Sequence, residues 1–205
     1  MRVRLWAGIF PALLAVSPAA VAGHAEPSSA GFVVLGGIDD GNSSKVSYQV
    51  DATPESLRSQ TIAYQSQLPT GSIVVKTGSR RLYYILPDGK AIAYHVGVGR
   101  EGFTWSGTNA VSRKAEWPDW HPPREMIDRE ARRGHNIPDF MPGGPGNPLG
   151  ARAIYIGDTQ FRIHGTTQPW SIGQAVSSGC IRMMNEEVID LYNRVQIGAT
   201  VVVED

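Results

Sequence analysis

The chain is predicted to fold as a mainly β domain with short helices, of the α+β class, on three observations. Residues 72–98 hold three runs rich in β-branched and aromatic residues, separated by turns built from Gly, Asp, Ser and Pro. The C-terminal half adds four more such runs but only two stretches with helical periodicity. No self-similarity at a period of about 20 to 50 residues argues for a solenoid.

Taken from the beginning, Met1 to Arg4 carry two arginines, Leu5 to Val16 are almost wholly apolar, and Ser17 to Ala22 are mostly small residues ending in Ala20-Val21-Ala22. That order is the one found in a secretory signal peptide, so residues 1–22 are expected to be removed on export. A dozen apolar residues interrupted by Pro11 fall short of the ~20 that span a bilayer, so no stable membrane insertion is expected after cleavage. No cysteine stands at the cleavage site to carry a lipid. The whole chain has 19 basic and 19 acidic side chains; losing Arg2 and Arg4 leaves 17 against 19, which gives no basic surface for nucleic acid.

Residues 23–69 are rich in Ser, Gly, Asp and Gln and read as an irregular segment ahead of the folded domain. Within it, Phe32 to Leu35 suit a short strand and Pro54 to Tyr64 suit one helix. From residue 70 to 205 a single domain is expected, long enough for its own core. Its first strands are Ser72 to Lys76, Arg81 to Leu86 and Lys90 to Val98, joined by Thr77-Gly78-Ser79-Arg80 and Pro87-Asp88-Gly89, so an antiparallel meander is expected. Later strands are expected at Asn109 to Glu116, Ala153 to Ile156, Gln160 to His164 and Thr200 to Val203.

Two helices fit between these strands. Pro122 to Arg133 opens on prolines that a first turn tolerates and stops at Gly134. Asn185 to Val195 begins with Asn185 as a cap, carries Glu186 and Glu187 in its first turn, and aligns Val188, Leu191, Tyr192 and Val195 on one side. The run NIPDFMPGGPGNPLG, Asn136 to Gly150, is too long for a simple turn, and its composition suits a passive surface crossing.

Reactive side chains concentrate between Ile163 and Met183, IHGTTQPWSIGQAVSSGCIRM, which holds the single cysteine, Cys180. A thiol is a weak nucleophile at neutral pH, since its reference pKa is about 8.5. An imidazole that takes its proton, or a cation that favours the anion, corrects this, and the segment offers His164 for the first and Arg182 for the second. A lone cysteine is also common as inert core filler. Against that reading stand the polar Ser177 and Ser178, the flexible Gly179, and a separate histidine. In an oxidising compartment the thiol has no intramolecular partner, so it stays free, forms a mixed disulfide or bridges two chains.

The run HGT at His164 to Thr166, SIG at Ser171 to Gly173, and SSGCIRM at Ser177 to Met183 resembles the signature of the L,D-transpeptidases with a YkuD-type catalytic domain. In that family the cysteine is followed by a hydrophobic residue and Arg or Asn, and the motif often reads S-H-G-C; here Ser178 stands where many members have histidine. The resemblance implies a β-sandwich or barrel with one helix packed after the nucleophile loop, Cys180 as nucleophile and His164 as base, and it makes the Asn136 to Gly150 run a substrate-lining loop rather than a passive crossing. It implies action on peptidoglycan stem peptides in the periplasm or cell wall. The bond between the third residue, an L-centred diamino acid, and D-alanine at position four would be cleaved through a thioester. The acyl group would then pass to an amine of a second stem, a 3→3 cross-link, or of an envelope protein.

Amides of Ser178, Gly179 and Cys180 are expected at the oxyanion. Arg182, Gly165, Thr166, Ser177 and Trp170 are candidate substrate contacts; Thr166 and Ser177 either orient His164 or tie down loops. Two other readings stand beside the transpeptidase: an L,D-carboxypeptidase or endopeptidase of the same fold, with water as acceptor, and a non-catalytic wall-binding module. No cofactor or metal is expected, because His121, His135, Asp119 and Asp139 lack the spacing of a zinc signature. His95, Tyr155 and Phe161 are read as structural, and Trp105, Trp117 and Trp120 as core rather than groove.

Overall fold

The computed structural model describes residues 32–35 and 47–205. The leader expected over residues 1–22 lies outside them. The first strands are β1 (Phe32–Leu35), β2 (Ser47–Val50), β3 (Gln60–Ala63), β4 (Ile73–Lys76), β5 (Arg81–Leu86), β6 (Lys90–His95) and β7 (Val98–Gly99). They are followed by β8 (Gly107–Glu116), α1 (Arg124–Ala131), β9 (Arg152–Ile156), β10 (Arg162–His164), β11 (Ala175–Ser177), β12 (Ile181–Arg182), α2 (Asn185–Arg194) and β13 (Thr200–Glu204).

Nine strands form one sheet in the order β12-β10-β9-β8-β13-β4-β5-β6-β3. The expected meander is present as β4, β5 and β6, each antiparallel to the next. The last strand, β13, enters between β8 and β4, antiparallel to the first and parallel to the second, and so joins the meander to the strands that follow it in sequence. Strand alternation sends Ile73 and Val75, Leu82 and Tyr84, Ile92 and Tyr94, Ile154 and Ile156, and Val201 and Val203 to one face. Val188, Leu191 and Val195 of α2 belong to the same cluster, as do Ile163 and Ile181 from the opposite end of the sheet. A single helix can meet strands from both ends only if the sheet curls around it. Tyr94 Oη donates to Asp190 Oδ2 at 2.6 Å, and Lys114 Nζ donates to the Val195 carbonyl at 2.8 Å, which fixes the helix in that concavity. Burial and the neighbouring Asp190 both push the Tyr94 phenol up, so it remains a donor.

Two local expectations change. Over Pro54 to Tyr64 the sequence predicts a helix, but the chain makes one 3-10 turn at Glu55–Leu57 and then β3, which pairs antiparallel with β6. So short a helix with no buried stripe is marginal, whereas β-branched Thr61 and Ile62 gain ladder hydrogen bonds along an open sheet edge. The predicted strand Lys90 to Val98 breaks after His95, because Gly97 turns to exchange hydrogen bonds with Arg182, N to O 2.8 Å in each direction. A Cβ on Gly97 would stand 2.5 Å from the Ser171 carbonyl oxygen, so this close approach requires glycine.

Candidate active site

The site grows out of the β10–β12 pair. These strands run parallel, with Ile163 opposite Ile181 and His164 opposite Arg182. Both isoleucines are buried in the core, so alternation leaves Arg162 and His164 on the other face, beside Arg182 and the preceding Cys180. All four line one open cavity of about 610 Å³. One wall is α1, through Met126 and Arg129 with Pro123 just before it, and Phe161 and Leu149 add to the apolar lining. The Asn136 to Gly150 run therefore lines the cavity, through Pro148 and Leu149.

His164 is 4% exposed, and its Nδ1 lies 2.6 Å from the Gly165 carbonyl oxygen. A carbonyl only accepts, so Nδ1 carries the proton and Nε2 is the acceptor nitrogen. Burial lowers the imidazole pKa to about 3, helped by the charges of Arg162 and Arg182 and opposed by backbone hydrogen bonds to Gly165 and Leu149. The ring is therefore neutral at physiological pH, able to accept a proton but not to hold one at rest.

Cys180 is a free, half-buried thiol whose Sγ lies 3.9 Å from the Gln160 carbonyl oxygen. Its loop is held on both sides by residues 97–100: Val98 N donates to Gln174 O at 2.9 Å and Arg100 N to Ser177 O at 3.1 Å, in addition to the Gly97–Arg182 pair. Inside the loop, Ser177 Oγ donates to the Cys180 carbonyl at 2.6 Å and accepts from Gly179 N at 3.1 Å. Gly179 has φ +105°, and a Cβ there would lie 2.5 Å from Phe161 Cε1. Phe161 itself is stacked on Trp105, ring centroids 4.6 Å apart, and Trp105 Nε1 donates to the Gly179 carbonyl at 3.1 Å. Only glycine fits beneath that aromatic pair.

The histidine loop has its own latch. Asn185 Oδ1 accepts from Ala151 N at 3.0 Å and Thr166 N at 3.2 Å, while its Nδ2 donates to Thr166 O at 2.9 Å. Sequence reading assigns Asn185 to helix capping, but the N-cap is Met184 and makes no side-chain cap bond. The amide is spent on the loop after His164 instead. Asn185→Ala removes three buried or half-buried hydrogen bonds, so a loss of about 2–4 kcal/mol is expected in urea unfolding, together with impaired thiol-dependent activity. Unchanged stability would show that the latch is dispensable.

A family model described as the L,D-transpeptidase catalytic domain, YkuD, matches residues 70–203. The chain belongs to this family. It is 39% identical over 160 residues to the probable L,D-transpeptidase ErfK/SrfK of Escherichia coli, covering 74% of this chain and 51% of that protein. It is 37% identical over 135 residues to the probable L,D-transpeptidase YbiS of E. coli K12, 63% of this chain and 43% of that one. It is 33% identical over 141 residues to the putative L,D-transpeptidase YkuD of Bacillus subtilis, 68% and 79% respectively. The chain thus spans about half the length of the two E. coli relatives. The L,D-transpeptidase from Mycobacterium smegmatis has the same fold, with a TM-score of 0.50 and 17% identity over 65% of this chain and 58% of that one.

Within this L,D-transpeptidase domain the other predicted contacts separate. Arg182 is half-buried, donates from Nη1 to Gln168 Oε1 at 3.0 Å, and feels both burial, which lowers its pKa, and Cys180, which opposes that. Thr166 is held by the Asn185 latch and its Oγ1 accepts from Gln168 N at 2.9 Å, while Gly165 N donates to Arg152 O at 3.0 Å and Gly165 packs where a Cβ would strike Asn185. Thr166 and Ser177 therefore tie down loops; neither bonds the His164 ring. Trp170 is 65% exposed and stands outside the cavity lining. Ser178, at the position where many members carry histidine, accepts from Arg129 Nη2 at 3.0 Å.

Sequence reading predicts the helix over 122–133 but gives neither it nor Arg129 and Gln160 a place at the site, because their approach to the loop is purely tertiary. It also reads Phe161 and Trp120 as core, whereas both line the cavity. Tyr155 is half-buried beneath Arg113, whose Cζ lies 3.6 Å from the ring centroid. His135 meets Glu130 at the surface and His121 lies against Phe140. Among the described residues no three His, Cys, Asp or Glu side chains cluster as metal ligands, and no helix is long and apolar enough to cross a membrane.

Proposed function

We propose that the chain is an exported peptidoglycan L,D-transpeptidase, a cysteine acyltransferase with its catalytic domain over residues 70–205, working in the periplasm or cell wall. The observation that carries this reading is that Cys180 and His164 line the same open cavity, with an acceptor nitrogen left on the imidazole. The Cys180 thiol gives its proton to His164 Nε2 as sulfur attacks the carbonyl of the diamino acid at position three of a tetrapeptide stem. The tetrahedral intermediate collapses, the carbon–nitrogen bond breaks, and the imidazolium returns the proton to the departing D-alanine amine. An amine from a second stem, or from an envelope protein, then attacks the thioester, gives up a proton through His164 and restores the thiol.

The oxyanion falls to the amides of Ser178 and Cys180, because the Gly179 N–H is already engaged by Ser177 Oγ. An imidazole that resists protonation this strongly supports proton transfer during attack rather than a standing thiolate–imidazolium pair. Arg182 lies beside the reacting sulfur, where it can neutralise a substrate carboxylate.

Purified protein incubated with a disaccharide tetrapeptide, with and without an amine acceptor, tests the reading. Cross-linked dimer and released D-alanine are expected. Shortened tripeptide alone would make water the acceptor and the protein an L,D-carboxypeptidase. Binding without any conversion would leave a wall-binding module.

A further inference from the structure

Three arginines line the cavity that holds Cys180 and His164, and they differ in how they are satisfied. Arg129 donates to Ser178 Oγ and pairs with Glu130, and Arg182 donates to Gln168. Arg162 has no ion pair and no side-chain hydrogen bond among the described residues, and its Nε is buried without a partner. Its one compensation is the Tyr155 ring, 5.7 Å from Cζ and already covered by Arg113 at 3.6 Å. A buried guanidinium N–H left without an acceptor is costly unless something else completes it.

Its position says what that something is near. Arg162 stands two residues before His164 on β10, on the same face, and continuing the β10–β12 register by one residue sets it beside Cys180. It also lines a second, adjoining cavity of about 400 Å³ with His121, Arg124 and Tyr155, so it stands where the two spaces meet. The acids on the first cavity, Glu125 and Asp158, form no ion pair with it. Its charge is among those that hold the His164 imidazole down, which confirms its closeness to the reacting groups.

We infer that Arg162 is a specificity-determining residue that binds a free carboxylate of the acyl-donor peptide next to the scissile bond. The inference rests on the transpeptidase reading for the identity of the donor. The terminal carboxylate of D-alanine is one residue from that bond, and a diamino acid whose side chain ends in a carboxylate offers a second. Either would meet the planar guanidinium with two parallel hydrogen bonds.

Binding separates the sources without requiring turnover. Cys180→Ala protein is titrated calorimetrically with three tetrapeptides: the di-acid, the form amidated on the diamino acid side chain, and the form amidated on D-alanine. One amidation is expected to weaken binding at least about tenfold, in line with a charged hydrogen-bonded pair, and thereby identifies the carboxylate. With Arg162→Gln added, that penalty should shrink to less than about threefold, while Arg162→Lys, which keeps charge but not the fork, should retain part of it. No penalty from either amidation, or the same penalty in the Gln and Lys variants as with Arg162 intact, overturns the inference. Should Gln fail to fold, the Lys variant decides alone by losing or keeping the full penalty. Turnover of the wild-type protein independently judges the transpeptidase reading.

Discussion

Replacing Cys180 by alanine is expected to abolish conversion of a tetrapeptide donor, a loss of about 10⁴-fold or more, with the melting temperature within about 2 °C of wild type. The activity loss follows from removing the only sulfur able to carry the acyl group. The small stability change follows from the setting: the thiol is half-buried, faces an open cavity and makes only a long contact to Gln160 O, so truncation opens no void in the core. The loop shape is set by Ser177, Gly179 and the 97–100 strap, all of which remain. Donor conversion assayed by mass spectrometry, beside circular dichroism melting, reads both. Retained conversion would remove the sulfur from the chemistry.

His164→Gln is expected to slow acylation by about 10²–10⁴-fold, the usual contribution of a positioned base. The wild-type pH profile should be distinctive as well. With a folded value of about 3, the imidazole stays neutral down to moderately acidic pH, so acylation should not fall through an inflection near 6.5. Stability carries the matching signature. Between the ordinary value of 6.5 and about 3, the unfolded chain binds a proton that the folded chain excludes. The stability tied to this site is therefore complete above 6.5 and is lost as pH falls towards 3. His164→Gln lacks that dependence, so wild type should lose more stability than the variant between pH 7 and pH 4.5 in urea titrations. Equal losses would mean that His164 titrates in the native state like a solvated histidine.

The central strands are legible because β4, β5, β6 and β13 are short runs rich in β-branched and aromatic residues, the first three of them separated by turn residues. The second helix is legible from the helical spacing of Val188, Leu191 and Val195. β11 and β12 are not, since two or three residues carry no period and become strands only by pairing with β7 and β10. The edge strand β3 reads as helix in sequence because its residues are mostly exposed and its ladder depends on β6 being alongside. At the site, Cys180 and His164 announce themselves by type and motif. Asn185 does not: its polarity just ahead of an apolar face resembles a cap, and only the fold brings residues 151 and 166 to its amide. Arg129 likewise reaches Ser178 from a helix 49 residues earlier, a distance no local pattern encodes.

The Cys180 sulfur is expected to receive the acyl group of a stem peptide. Intact-mass spectrometry of the wild-type protein, quenched in acid after mixing with tetrapeptide and no amine acceptor, reads this directly. The expected result is a mass gain equal to the donor less D-alanine, located by proteolysis on the fragment containing Cys180 and released by hydroxylamine as a thioester would be. D-alanine release with no adduct on the protein, or an adduct on any fragment lacking Cys180, would contradict it.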